Sequence, residues 1–297
     1  MNFADPSAVI EGLDASARLL LDSPLRHGSS VRVPARGRLL ATGDLHDNPV
    51  HLRRLLRVAA LERDPDRHVV LHELIHGERL IDGVDLSHRM LLRTAELVMQ
   101  HPGQVHPLLA NHEIAQVTGR GVSKGAGNSV ELFNDGLEYV FNDAWSDVAE
   151  AIGRFVRAMP LALRSEPDAA GGSVFCAHSL PGPATLPFMD LDVLDRPLTD
   201  EDFLGPSGAA YLMTWGRGLT PEHLDRLAAE WGVTLFCLGH QHAETGVELV
   251  SPRTLVLNSD HERGAVVPID LSAIPSAEAA FYDALPLSSV ADSEPTR

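Results

Sequence analysis

Residues 6–22, PSAVIEGLDASARLLLD, carry apolar side chains at helical spacing behind an Asp-Pro start, and the pattern predicts a lead-in helix. Residues 23–36 contain Pro and Gly and read as loop. Leu39-Leu40-Ala41-Thr42 is a continuous apolar run, which predicts a buried strand over about 37–42. Pro49 suits the first turn of a helix over 49–62, with Leu52, Leu55, Leu56 and Ala59 on one face and Asp64-Pro65-Asp66 as its stop. A strand over 68–73, a helix over 86–100 closed by His101-Pro102-Gly103, and a strand over 104–110 follow. This β-α-β-α-β order implies parallel strands joined by helical crossovers.

Gly119–Gly127 (GRGVSKGAG) is Gly-rich but lacks the spacing of a phosphate-cradling P-loop, so it reads as a connector. Helices are predicted at 128–141, 143–158 and 220–231, the last with Thr220 as N-cap and Pro221 in its first turn. Short β runs fall at 160–164, 173–178, 234–239, 245–250, 254–258 and 264–269. Residues 182–210 are rich in Pro, Gly and Asp and read as an excursion over the site face. The chain from about 275 reads as a mobile acidic tail. The expected organisation is a lead-in over 1–36, one α/β domain over 37–272 and a tail over 273–297. No internal repeat appears.

Five apolar runs end in chemically capable residues. Leu39–Thr42 runs into Gly43-Asp44-Leu45-His46-Asp47-Asn48. Val69-Val70-Leu71 runs into His72-Glu73-Leu74-Ile75-His76. Leu108-Leu109-Ala110 runs into Asn111-His112-Glu113. Val174–Ala177 runs into His178, and Leu235–Leu238 into Gly239-His240-Gln241-His242. Open α/β folds build their sites at the carboxyl ends of strands. Asp, His, Asn and Glu are hard or borderline ligands for divalent metals. Five loops supply more ligands than one tetrahedral ion needs, which fits two ions ~3.5–4 Å apart clamping a phosphoryl group.

Composition narrows the partners. The 297 residues hold 24 Lys+Arg against 41 Asp+Glu, a formal charge of −17, and no basic patch stands out. Nucleic-acid and anionic-membrane surfaces are therefore not expected. No apolar run reaches the ~20 residues of a membrane span, and the start, MNFADPSAVIEG, does not read as a signal peptide. The two cysteines, Cys176 and Cys237, lie in apolar strands and read as buried thiols, which fits a reducing cytoplasm.

The order G-D-x-H, a second acidic motif, N-H-E, a lone His and G-H-x-H resembles the calcineurin-like metallophosphoesterases, most of all their phosphoprotein-phosphatase branch, over roughly 37–270. The resemblance implies a four-layer αββα sandwich, two mixed sheets flanked by helices. It implies two divalent ions (Mn, Fe or Zn) and in-line attack by a metal-bridging hydroxide, with phosphate monoesters of phosphoproteins or small molecules as substrates. Asp44 and His46 would hold the first ion, with His242 completing its shell. Glu73 would stand where the family has its bridging Asp. Asn111, His178 and His240 would hold the second ion. His112 would protonate the leaving oxygen, and Asn48 would orient water or a ligand. Arg217, Arg120 and Asn111 would meet the substrate phosphate, with Arg79 a further choice. Glu113 would bond a backbone or a ligand His, and Ser259-Asp260-His261 would close the site.

The second motif departs from the family's G-D-x-x-D-R-G: Glu73 replaces Asp, His76 replaces the Asp that orients the general acid, and Gly77 replaces the phosphate-binding Arg. His72 and His76 are left between orienting a ligand and filling the core. A diadenosine polyphosphate hydrolase, a phosphodiesterase, or a metal- and phosphate-binding regulator without turnover stand as alternatives.

Overall fold

The computed structural model describes residues 1–120, 123–124 and 127–291. In chain order its elements are α1 (Pro6–Leu21), β1 (Arg26–His27), β2 (Ser30–Val33), β3 (Arg38–Thr42), α2 (Pro49–Ala59), β4 (Arg67–His72), β5 (Leu80–Ile81), β6 (Val84–Asp85), α3 (His88–Gln100), β7 (Val105–Leu108), α4 (Asn111–Thr118), β8 (Ser123–Lys124), β9 (Gly127–Asn128), α5 (Ser129–Phe141) and α6 (Trp145–Ala158). The second half holds β10 (Ala162–Ser165), β11 (Val174–Ala177), α7 (Ala209–Thr214), α8 (Pro221–Trp231), β12 (Leu235–Leu238), β13 (Val247–Ser251), β14 (Thr254–Leu257), β15 (Ala265–Asp270), α9 (Ala277–Tyr282) and β16 (Leu285–Pro286).

The strands form a seven-stranded sheet, β1-β2-β10-β11-β12-β14-β13, and a five-stranded sheet, β16-β15-β3-β4-β7. Both are mixed: β3, β4 and β7 run parallel beside antiparallel β15, and β11, β12 and β14 run parallel beside antiparallel β13.

The layering follows from alternation along the strands. Leu39 and Ala41 join Val174, Cys176, Leu235, Cys237, Leu255 and Leu257 in one core between the sheets. Their neighbours Leu40, Phe175, Phe236 and Val256 join a second core with the apolar faces of α1, α2, α3, α5, α6 and α8. Successive strand residues face opposite sides, so each of these strands is buried on both faces and reads as a continuous apolar run. The result is the expected pair of mixed sheets with helices outside. Among the described residues, no helix is long and apolar enough to cross a membrane.

Three expectations need correction. Residues 23–36 are not loop throughout: β1 and β2 form a hairpin, and β2 runs parallel to β10. Val31 and Val33 fill the inter-sheet core while Arg32 faces out, an alternation readable in Ser-Val-Arg-Val. The tail from 275 is built into the fold as far as residue 291. Ala277 and Ala280 of α9 seal one end of the inter-sheet core, β16 pairs with β15, and Leu287 is buried. Small alanines and one Leu-Pro-Leu run suffice at a sheet edge, and composition alone hides them. The strand expected over 104–110 stops at Leu108, so Asn111 opens a helix. The 119–127 connector lies partly outside the described residues. The 182–210 excursion contains three short 3₁₀ turns before α7. Arg196 pins it by donating to Asp190 and Asp202 at 2.7 Å each. Cys176 and Cys237 face each other in register on β11 and β12, both buried and free.

Candidate metal centre

The carboxyl ends of the parallel strands converge. Asp44 follows β3 and bridges His72 at the end of β4 and Asn258 just beyond β14. The amides of Leu45 and His46 donate to Glu73 O at 3.1 and 2.8 Å, and that of Asp47 donates to Leu74 O at 2.9 Å. Glu113 Oε1 accepts from Leu74 N at 2.8 Å. Motifs from three strands are thus stitched by backbone bonds. His46, Asp47, Glu73, His76 and His240 all hold positive φ, between 39° and 65°. Each costs about 1–2 kcal/mol in an L-residue. Such conformations persist where the surroundings over-determine them, typically at functional sites.

The side chains then gather. Three sets of ligand atoms each lie within 4.8 Å: Asp44, His72 and His178; His46, Glu73 and His112; Glu73, His178 and His240. Asn111 Oδ1 joins the third set, 2.6 Å from His178 Nε2 and 3.1 Å from His240 Nδ1. Asp44, Glu73 and Asn111 come from the five-stranded sheet, and His178 and His240 from the seven-stranded one. His46 Nδ1–H donates to Ile75 O at 3.1 Å, which leaves Nε2 as a lone pair 3.4 Å from Glu73 Oε2. Glu73 Oε1 lies 3.5 Å from His112 Nε2 and 3.7 Å from His178 Nε2. One carboxylate therefore reaches both the His46 and the His178 sides.

Asp44 and Glu73 are buried, at 4% and 3% exposure, and imidazoles approach both. Buried carboxylates need a cation or a full set of donors. Burial holds His72 and His178 below the ordinary imidazole range, and His240 is lowered to about 4, first by burial and then by the charge of Arg217. Neutral imidazoles are the form that binds metal. His240 Nε2 is buried without a partner. Two buried carboxylates, an amide oxygen and neutral imidazoles form a donor set that fits divalent cations.

Around this set, His112 Nδ1 lies 3.0 Å from His76 Nδ1, and His76 Nε2–H donates to Gln116 Oε1 at 2.9 Å. The Gln116 amide nitrogen donates to Asn134 Oδ1 at 2.9 Å, which turns its oxygen toward His76. Burial raises the Glu113 carboxyl to about 7.

Other expected residues take different places. His242 is exposed and lies outside the three sets; its ring sits 5.4 Å from that of His261. Asn48 is spent on backbone: Oδ1 accepts from His51 N, and Nδ2 donates to Asp260 O at 2.7 Å. Arg120 donates to Gly205 O at 3.1 Å and so ties α4 to the excursion. Arg79 donates to Asp47 Oδ2 at 2.7 Å. Arg217 is exposed and near enough to lower His240. Ser179 Oγ donates to Gly216 O at 2.9 Å, which fastens the Arg217 turn to the loop after His178. Ser259 Oγ accepts from Gly43 N at 3.0 Å and supports the Asp44 loop. A cleft of about 710 Å³ opens beside His46 and is walled by Asp47, Arg79, His242, Asp260 and His261.

The residue that motif reasoning left without a ligand role is His72. It stands where the family pattern has Gly, and the one available signal was its position as the last residue of a strand.

Known proteins share this fold. The family profile described as calcineurin-like phosphoesterase matches residues 37–244. The chain belongs to the calcineurin-like phosphoesterases. As a member of that family it is a metal-dependent hydrolase of phosphoester bonds. One similar structure is a protein serine/threonine phosphatase from Saccharomyces cerevisiae with similarity to human phosphatase PP5. It has a TM-score of 0.63 at 14% identity and covers 90% of this chain and 83% of that one. Another is a cold-active protein-tyrosine phosphatase of a psychrophilic Shewanella species, at TM-score 0.57 and 16% identity, covering 86% and 82%. At these identities the likeness is one of fold. No curated protein is a significant match by sequence. In this calcineurin-like phosphoesterase, the Asp, Glu and His sets on the strand ends are groups that could hold a metal ion.

Proposed function

We propose that this phosphoesterase hydrolyses phosphate monoesters, with protein phosphoserine or phosphothreonine as the substrate class, at a centre of two ions drawn from Mn, Fe and Zn. The observation that carries the reading is Glu73, whose carboxylate touches the His46, His112 and His178 nitrogens together. Ions held there supply Lewis acidity to a phosphoryl group and acidify a water. His46 Nε2, Asp44 and Glu73 hold one side; Asn111 Oδ1, His178 Nε2 and His240 Nδ1 hold the other. His112 Nε2 lies 3.5 Å from the same carboxylate, so a proton on it would sit at the centre and could pass to a leaving oxygen. With Nε2–H of His76 committed to Gln116, Nδ1 of His76 accepts from His112 Nδ1–H. That keeps Nε2 as the working nitrogen of His112.

Arg217, free of a carboxylate partner among the described residues and near His240, is the residue to pair with phosphate oxygens. Arg120 and Arg79 are already engaged. The open cleft beside His46 favours a side chain presented on a larger molecule, and the two similar structures are a protein serine/threonine phosphatase and a protein-tyrosine phosphatase. The free thiols support a reducing, cytoplasmic setting.

The test is hydrolysis of an aryl phosphate and of a phosphoserine peptide by Mn²⁺-supplied protein, with His112→Ala beside it. Turnover of both substrates that falls 10²–10⁴-fold in the variant, at unchanged metal content, is the expected result. Preference for a diester or a dinucleoside polyphosphate would overturn the substrate class.

A further inference from the structure

His72 Nε2 lies 2.7 Å from Thr42 O, and its Nδ1 lies 3.1 Å from His178 Nδ1. A backbone carbonyl can only accept, so the His72 proton sits on Nε2 and its Nδ1 is a lone pair. The 3.1 Å approach is then a hydrogen bond only if His178 carries its proton on Nδ1. His178 Nε2 becomes a lone pair, and it is this atom that meets Asn111 Oδ1, His240 Nδ1 and Glu73 Oε1.

We propose that His72 is a positioning residue for the metal centre: through it the Thr42 carbonyl fixes the tautomer of His178 and aims Nε2 at the ion. The proposal rests on the metallophosphoesterase reading. Ligating histidines commonly donate their second N–H to a carboxylate or carbonyl; here a neutral imidazole takes that place. The neighbouring strand end is shaped for it. A Cβ on Gly239 would fall 2.3 Å from His72 Cε1 and 2.3 Å from Asp44 Oδ1, so only glycine leaves room for the His72 ring beside Asp44.

The opposite arrangement makes a different prediction. A proton on His178 Nε2 would leave three lone-pair atoms around one point: His72 Nδ1, His178 Nδ1 and Asp44 Oδ1, with Asp44 Oδ1 3.6 and 3.5 Å from the two nitrogens. That would be a cation site with His72 as a direct ligand. Filling both sides of His178 at once would require stripping the ring of both protons.

Imidazole nitrogens of the ¹⁵N-labelled full chain, correlated with their ring protons by NMR, read the tautomers with no reference to activity. Metal-free protein should show His72 protonated on Nε2 and His178 on Nδ1. Adding Zn²⁺ should move the His178 Nε2 resonance and leave His72 Nδ1 in place. A His178 protonated on Nε2, or a Zn²⁺-dependent change at His72 Nδ1, overturns the proposal. By calorimetry, His72→Leu should lose roughly 10–100-fold in Zn²⁺ affinity, whereas His72→Asn, whose amide oxygen can accept from His178 Nδ1–H, should stay within a few-fold of wild type. Wild-type affinity in the Leu variant would also overturn it; if that variant does not fold, the tautomers and the Asn variant decide. Correct tautomers in a protein that hydrolyses no phosphoester would instead count against the substrate reading alone.

Discussion

His76 and His112 meet Nδ1 to Nδ1 at 3.0 Å, with both rings buried. On the proposed reading, a neutral imidazole takes the orienting place that a carboxylate has in the family's pattern. It would fix the direction of His112 but add no charge to stabilise its protonated form. His76→Leu should lower kcat about 10–100-fold with little change in KM, since it frees the ring of His112 without touching a phosphate contact. His76→Asp should keep the acceptor in place and carry the alkaline limb of kcat/KM to higher pH, because an anion stabilises the imidazolium. Steady-state kinetics across pH check both. An Asp variant with an unmoved alkaline limb would contradict this account of the pair.

Glu73 is one methylene longer than the family's Asp, and the site is built to that length. Its backbone oxygen is fixed by two amides, from Leu45 and His46. An Asp there would withdraw the carboxylate by about 1.5 Å from partners now at 3.4–3.7 Å. Glu73→Asp should therefore weaken metal binding at least 10-fold, read as metal content after dialysis. Equal or higher content in the variant would mean that the backbone can advance.

Arg217→Ala should raise KM for aryl phosphate and the inhibition constant of inorganic phosphate together, each about 10-fold, with bound metal unchanged. It should also relieve His240 of a nearby positive charge. Inhibition by phosphate at the wild-type concentration would assign phosphate binding to another cation.

His88 supplies a pH test away from the centre. It is fully buried, packs against Phe133 and Phe141, and has no hydrogen-bond partner on either ring nitrogen among the described residues. Burial, helped by Arg89, lowers it from 6.5 to about 3. The unfolded chain binds the proton first as pH falls, so stability from the neutral ring is complete above pH ~6.5 and declines toward pH ~3, by about 1.4 kcal/mol per pH unit. Denaturant titrations of metal-free protein should show His88→Leu losing less stability than wild type over that window. Parallel acid limbs would refute the assignment.

Much of this molecule was legible because strand ends and chemistry coincide. Leu39–Ala41, Val69–Leu71, Leu108–Ala110, Val174–Ala177 and Leu235–Leu238 are apolar and buried on every residue, since each is covered on both faces. The polar residue that follows marks the carboxyl edge without any alignment. What stayed hidden was whatever depends on a partner distant in sequence. Ala277 and Ala280 look like tail until the gap between the sheets is known. His72 looks like a last strand residue until Gly239 shows how much room the next loop leaves. Asn48 offers the same side chain to water or to Asp260, and only the fold decides.

The two sheets contribute unequal shares of the candidate site, Asp44, His46, Glu73, Asn111 and His112 from one and His178 and His240 from the other. An ion held by Glu73, His178 and His240 would be a rivet through the sandwich, and leaching it would loosen one sheet from the other. At a hundredfold excess over its dissociation constant such a rivet would add about 2.7 kcal/mol to the closed form, so metal would act on the cohesion of the two sheets as well as on the chemistry between them.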